Sequence, residues 1–389
     1  MTRLPAHILQ DSALQAVLDM LEGAGHRALL VGGAVRNALL GQPVEDIDIA
    51  TDARPEQVAD LARDAGLKPV PTGIEHGTIT VVSGGHGFEV TTFRRDVETD
   101  GRRAVVAFSD DIGEDARRRD FTMNALYATR DGAVLDPVGG LPDLAARRLR
   151  FVGRPEQRIR EDYLRILRFF RFLAWYGRDA DTDALQACAA LAPGLARIAH
   201  ERIGAEFRKL LAAPDPAPSV ALMQDAGILA RVLPGAEAGT LPALVAAERD
   251  AGAGPDWPRR LAALGAEDPQ AALRLSRDDA RRQAALAGAL ASNWSLDEAG
   301  YRLGLPAARD HALILAARGM ALPTDWPERL ERAASARLPI AAGALMGQLQ
   351  GPALGRGLKA AEQAWIDSGF TLPPSALIEA AMRAGEEER

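Results

Sequence analysis

Leu29-Leu30-Val31-Gly32-Gly33-Ala34-Val35-Arg36, followed ten residues on by Asp46-Ile47-Asp48-Ile49-Ala50-Thr51, is the stretch on which the fold turns. An apolar strand runs into two glycines and then into a helix start that carries an arginine. Glycine lets the backbone come close to a phosphate, a helix N-terminus offers unpaired N–H groups, and Arg36 adds a fixed charge. A double glycine between strand and helix is also a common tight turn, so this half gains its meaning from the second. In Asp46–Thr51, alternation along a strand predicts both carboxylates on one face and both isoleucines in the core. Same-face neighbours stand roughly 6.5–7 Å apart. That spacing reaches a metal pair about 3.5–4 Å apart, as in-line phosphoryl transfer uses. Without a cation the two like charges would lie side by side uncompensated.

Outward from this stretch, helix and strand signals alternate. Ser12–Leu21 is amphipathic, Ala28–Val31 is an apolar run, a short helix ends at Gly41, Ile47–Ala50 reads as a strand, and Pro55–Ala65 returns to helical spacing. Gly77–Val82 and Phe88–Phe93 read as paired strands around Ser83-Gly84-Gly85, and the polar segment Arg95–Arg103 reads as a mobile loop. Glu89, in Phe88-Glu89-Val90, is either a third carboxylate for a metal site or an ordinary exposed strand glutamate. Beyond about Gly153 strand signals fade, and Ala, Leu and Arg recur at helical spacing to a tail expected to fray. The fold class is therefore α+β: an N-terminal mixed sheet with helices, then an all-α C-terminal half. No repeat of fixed period is present.

At 389 residues the chain suits two to four consecutive domains. It contains no stretch of eighteen uncharged apolar residues, and Met1-Thr2-Arg3-Leu4-Pro5 lacks the layout of a secretion signal, so a soluble, cytoplasmic protein without a membrane partner is expected. The single cysteine, Cys188, has no thiol or histidine at ligand spacing and reads as a buried apolar residue on a helix. A net charge of −7 argues against general nucleic-acid binding, so any such site is local, and no DNA partner is expected. From Arg147 to Arg178 ten arginines face three acids, which suits phosphate recognition by planar guanidinium forks; a solvated charged face is the plainer alternative.

The glycine pair, Arg36 and the Asp-x-Asp strand, in this order, resemble the DNA polymerase beta-like nucleotidyltransferase superfamily. Further motifs narrow the resemblance: Arg118-Arg119-Asp120-Phe121-Thr122-Met123-Asn124-Ala125, Asp136-Pro137-Val138-Gly139-Gly140, Glu161-Asp162-Tyr163-Leu164-Arg165-Ile166-Leu167-Arg168-Phe169 and Glu201-Arg202-Ile203-Gly204-Ala205-Glu206. From about residue 28 to 211 they look like the ordered motifs of class II tRNA nucleotidyltransferases, the CCA-adding enzymes, and of the related bacterial poly(A) polymerases. The resemblance implies a catalytic head at 1–145, a base-recognising helical neck at 146–215 and a helical tRNA-binding body and tail at 216–389. It also implies addition of C, C and A to tRNA from CTP and ATP. Asp46 and Asp48 would hold two Mg²⁺ ions, one activating the RNA 3′-hydroxyl and one binding the triphosphate, with pyrophosphate leaving. One departure stands out: the family motif continues Arg-Asp, and here it is Arg36-Asn37.

Asp162 and Arg165, three apart, are expected to share a helix face, with Arg168 and Arg171 continuing along it. An acid that accepts beside an arginine that donates matches the amino group and ring acceptor of cytosine and of adenine. Guanine and uracil present the reverse pattern, leaving buried polar groups unpaired at roughly 1–3 kcal/mol each. A surface salt bridge is the plain alternative. In the resembled family these positions are the base-reading pair, while the arginines beyond them, like Arg119, reach ribose and triphosphate. The resemblance thus implies Gly33, Arg36, Arg119, Asp162, Arg165, Arg168 and Arg171 for the nucleotide. It further implies that Asp96–Arg103 is the flexible loop that reshapes the pocket between CTP and ATP, an ordinary polar hairpin loop being the plain alternative.

Poly(A) polymerase is the nearest rival. Against it stand Thr72–Thr80, which resembles the CCA-adding form of this segment, and an acidic tail in place of a basic extension. His76 is assigned no catalysis. Beyond Phe172 only His200 and His311 occur, too few for an appended metal phosphohydrolase site. A non-catalytic RNA-binding module is the rival from another class, and the intact Asp46 and Asp48 speak against it.

Overall fold

The computed structural model describes residues 2–100 and 103–386. Helix α1 (Ser12–Gly23) is capped by Asp11, whose side chain accepts from the Ala13 and Leu14 amides. After it come β1 (Leu29–Val31), α2 (Gly33–Leu39), β2 (Asp48–Thr51), α3 (Pro55–Asp64), β3 (Lys68–Gly73), β4 (Thr78–Ser83) and β5 (His86–Thr92). With β8 (Tyr127–Ala128) and β9 (Val134–Leu135) these strands form one mixed seven-stranded sheet in the order β3-β4-β5-β2-β1-β8-β9. The β4–β5 turn has positive φ at both Gly84 and Gly85, the conformation that suits a two-residue hairpin.

β2 lies at the centre of this sheet, antiparallel to β1 and parallel to β5. Leu30, Val31, Ile49, Ala50 and Val90 are fully or almost fully buried, which fixes the register, because a one-residue slip would turn Ile49 outward. The segment expected to be a loop at Arg95–Arg103 is instead largely a hairpin in its backbone, β6 (Arg94–Asp100) against β7 (Arg103–Phe108), with a register shift between Asp96 and Glu98. Gly101 and Arg102 lie outside the described residues. A polar sequence hides such a pairing, since it shows no apolar alternation.

Helix α4 (Ile112–Arg117), α5 (Gly140–Ala146) and β10 (Arg148–Leu149) lead to the arginine-rich helices α6 (Pro155–Glu161) and α7 (Arg165–Tyr176). Phe121, Phe151, Phe169 and Phe172 weld α7 to the sheet region: ring centroids stand 4.9 Å apart for Phe121–Phe151, 5.7 Å for Phe151–Phe169 and 5.1 Å for Phe121–Phe172. Each such buried ring contributes about 1.5–3 kcal/mol. A short strand, β11 (Asp179–Ala180), pairs parallel with β10, so the half expected to be all helix keeps one strand. Helices α8 (Thr182–Leu191), which buries Cys188, and α9 (His200–Leu211) follow.

Packing divides the chain into two units, one running to Leu210 together with Leu222–Val232, the other Leu211–Ala221 with Leu233 onward. The second unit is helical in its described residues. Its buried centre includes Leu296, Ala299, Ala308, Ala312 and Leu330, and Arg259 and Arg260 are neutralised inside it by Glu248 and Asp310. No helix among the described residues is long and apolar enough to cross a membrane.

Candidate active site

A cleft of about 530 Å³ opens beside the β1–α2 turn, lined in part by Gly33, Asn37, Asp46, Asp48, Arg171, Trp175, Tyr176 and Lys209. Gly32 makes the turn possible. Its φ is +69°, and a side chain there would meet Arg119 Nη1 at 3.3 Å. A second forced glycine, Gly140, has no room for a Cβ, which would stand 2.2 Å from the Thr122 carbonyl oxygen. The Asp136 carboxylate accepts from the Gly140 and Leu141 amides at 2.7 and 2.9 Å, which accounts for the Asp136–Gly140 motif as a helix start.

Asp46 and Asp48 both face the cleft, but not as two members of one strand. β2 begins at Asp48, Asp46 belongs to the irregular segment before it, and Ile47 is half-buried where a core position was expected. Ile49 alone is fully buried. The neighbour of Asp48 in register on β5 is Glu89. Although Asp48 keeps an exposed edge, crowding by protein raises its carboxyl above the ordinary value; Glu89 adds to this, Arg119 opposes it, and Asp46 adds again. Among the described residues, the side chains of Asp46, Asp48 and Glu89 enter no hydrogen bond or ion pair. No three metal-ligating side chains are preassembled among the described residues. An ion held by Asp46 and Asp48 would therefore complete its shell with water and phosphate oxygens, as Mg²⁺ commonly does.

Behind the cleft lies a hydrogen-bonded chain of charges. Arg36 is only 6% exposed, its guanidinium 3.8 Å from the Tyr176 ring centroid. It donates to the Asn37 side-chain oxygen from Nε (3.1 Å) and Nη2 (2.9 Å), and to Asn124 Oδ1 from Nη1. Burial lowers its pKa, though it stays a cation. Asn124 in turn donates to Asp120 Oδ1 at 2.9 Å, and Arg168 donates to Asp120 Oδ2 at 3.0 Å from Nε. Burial opposes ionisation of Asp120, but Arg168, Asn124 and the Phe121 amide outweigh it and hold the carboxyl below the usual range. Arg171 stands 2.8 Å from Glu206. Arg119 is held by Asp115 (3.0 Å) and by the Tyr127 hydroxyl (3.1 Å), which itself donates to Asp115 at 2.6 Å.

Of the residues expected at the nucleotide, Gly33 and Arg171 line the cleft, whereas Arg36, Arg119 and Arg168 are not among its lining residues and are held by Asn124, Asp115 and Asp120. Asp162 and Arg165 do not share a helix. α6 ends at Glu161, Asp162 is extended (φ −153°, ψ 108°), and α7 starts at Arg165. Asp162 accepts from the Leu164 amide and from Arg202 at 2.7 Å, while Arg165 binds Glu161 and the Arg158 carbonyl. They lie outside the lining of this cleft. The arginine run is likewise partly offset by internal ion pairs, Arg148 and Arg150 sharing Asp143, Arg158 and Arg165 sharing Glu161, Arg168 with Asp120, and Arg171 with Glu206. A surplus of seven along the sequence thus shrinks in three dimensions. Sequence reading passed over Asn124, Arg202 and Glu206 as individual residues, though each sits inside a recognised motif.

The poly(A) polymerase head domain family matches residues 28–150, and the family described as a probable RNA and SrmB-binding site of polymerase A matches residues 180–239. A CCA-adding enzyme of Leuconostoc citreum is 43% identical over 234 residues, 60% of this chain and 56% of its own length. The mitochondrial CCA tRNA nucleotidyltransferase 1 of Mus musculus is 41% identical over 227 residues, 57% of this chain and 52% of its own. The chain thus spans little more than half of these curated relatives. The solved structure of the Bacillus stearothermophilus CCA-adding enzyme in complex with CTP superposes with a TM-score of 0.70 at 32% identity, over 96% of this chain and 97% of that one. The Thermotoga maritima CCA-adding enzyme complexed with tRNA, at 18% identity and TM-score 0.67, shares the fold over 98% of this chain and 99% of its own. With the motifs in order, the acid-bearing strand beside the glycine turn and a full-length relative at that identity, this chain belongs to the CCA-adding enzyme family.

Proposed function

We propose that this protein adds C, C and A without a template to the 3′ end of tRNA, consuming CTP and ATP and releasing pyrophosphate. The observation that carries the reading is the pair Asp46 and Asp48 on a cleft edged by Gly33, with Glu89 next to Asp48 in the sheet and no described cation bonded to their side chains. Hard carboxylate oxygens suit Mg²⁺. Two such ions would be held by Asp46 and Asp48, where they would lower the pKa of the RNA 3′-hydroxyl and neutralise charge on the triphosphate. The residues of the chain do the positioning. Backbone at Gly33 permits close approach of phosphates, and Lys209 lines the same cleft beside Arg171, whose charge is shared with Glu206. The Arg36–Asn124–Asp120–Arg168 chain ties α2 to α7, which carries Arg171.

Base choice in this reading falls to Asp162 and Arg165, in the segment 146–215 that follows the catalytic part. The described side-chain hydrogen bonds of Arg165 all leave from Nη1, so the rest of its fork can serve a base. The names of the relatives and the CTP bound by the Bacillus enzyme support the same substrates. Incubation with tRNA lacking its 3′ end, with each nucleoside triphosphate singly and with CTP and ATP together, followed by sequencing, tests the proposal. C residues from CTP alone and a completed CCA from the pair are expected. A long A tract from ATP alone would mark a polyadenylating enzyme.

A further inference from the structure

We infer that Asn37 is a positioning residue that ties down the segment carrying Asp46, so that Asp46 stands beside Asp48. This rests on the reading of those two aspartates as the divalent-ion pair. Past α2 the chain turns back on Asn37. Its carbonyl accepts from the Leu40 and Gln42 amides at 3.1 and 2.9 Å, and its side-chain Nδ2 donates to the Pro43 carbonyl at 3.0 Å. The Gln42–Ile47 segment has no helix or strand of its own, and Pro43 has no N–H with which to anchor itself. Three residues beyond Pro43 is Asp46.

The anchor at the other end is rigid. Asn37 Oδ1 accepts from both Nε and Nη2 of Arg36, which is buried, bonded to Asn124 and stacked on Tyr176. A side-chain amide can accept from the guanidinium through its oxygen and donate to a backbone carbonyl through its nitrogen, whereas an ionised carboxylate can only accept. A carboxylate at this position would keep the clamp on Arg36 but set its oxygens against the Pro43 carbonyl. It would also bring a further negative charge to the wall shared with Asp46 and Asp48.

The test compares Asn37→Asp, which is isosteric and retains the Arg36 contact, with Asn37→Ala, which loses both contacts. Amide hydrogen exchange is read over residues 42–48 of the metal-free protein, and the Mg²⁺ dependence of tRNA extension is read separately. In both variants exchange in 42–48 is expected to rise about five- to tenfold, the scale of one net hydrogen bond, with β4 and β5 unchanged. The half-saturating Mg²⁺ concentration is expected to rise several-fold, with the rate recovering at high Mg²⁺ and KM for CTP within about twofold. A merely structural defect would raise exchange in β4 and β5 as well. Unchanged exchange in both variants overturns the inference, and so does faster exchange with an unaltered Mg²⁺ requirement. Failure of the wild-type protein to extend tRNA would instead count against the functional reading, and exchange would still decide whether Asn37 tethers the segment.

Discussion

Asp48 and Glu89 are register partners on adjacent parallel strands, two carboxylates opposite one another with no described counter-cation bonded to either. Like charges so placed destabilise a sheet, and burial and repulsion together raise the Asp48 carboxyl. A raised carboxylate pKa in the folded state means that the unfolded chain ionises first, so this group costs stability as pH climbs above the ordinary carboxylate range. Asp48→Asn is therefore expected to raise the melting temperature of the metal-free protein at pH 7, with the gain fading toward pH 4. Thermal melts in EDTA across that range check it, and added Mg²⁺ should stabilise the wild type more than the variant.

Glu89 is the residue whose role the register brings into question most sharply. Glu89→Gln is expected to lower tRNA extension by about 10- to 100-fold, the usual loss when a group supporting a metal site is removed. Steady-state rates at saturating CTP measure this. Wild-type rates would return Glu89 to an ordinary strand position.

Asp120 holds the charge chain behind the cleft. Its carboxyl is depressed, so its stabilisation is present above the ordinary carboxylate range and is lost as pH falls through the folded value. Removing one partner of such a buried pair costs about 3–5 kcal/mol. Asp120→Ala should show a loss of this order in denaturant unfolding at pH 7, with a smaller difference from wild type below about pH 4.

Arg165→Ala is expected to reduce the preference for CTP over UTP by roughly 10- to 100-fold, the worth of one or two unpaired polar groups. Single-nucleotide incorporation with each triphosphate measures it. An unchanged preference would leave Arg165 as the partner of Glu161 and the Arg158 carbonyl alone.

Much of the first unit was legible because its signals are local. Apolar Leu29–Val31, the glycine pair and the Ser83–Gly85 turn each specify a nearby backbone geometry, and each element appears within a residue or two of its expected place. What lay beyond reach depends on contacts distant in sequence. Arg168 and Arg171 of α7 looked unbalanced because Asp120 and Glu206 lie tens of residues away. Asp162 and Arg165 looked like helix neighbours because spacing alone does not reveal a helix that ends at Glu161. Asp46 looked like strand because alternation continued past the point where pairing with β1 stops, at Val31 opposite Asp48.

The central claim is that Asp48, with Asp46, makes the cleft a site of phosphoryl transfer. Its most direct test is extension of tRNA lacking its 3′ end by Asp48→Ala with CTP and Mg²⁺, beside the wild type. A metal-ligand loss is worth several kcal/mol, so a fall of about 10³-fold or more is expected. Full activity in the variant would contradict it.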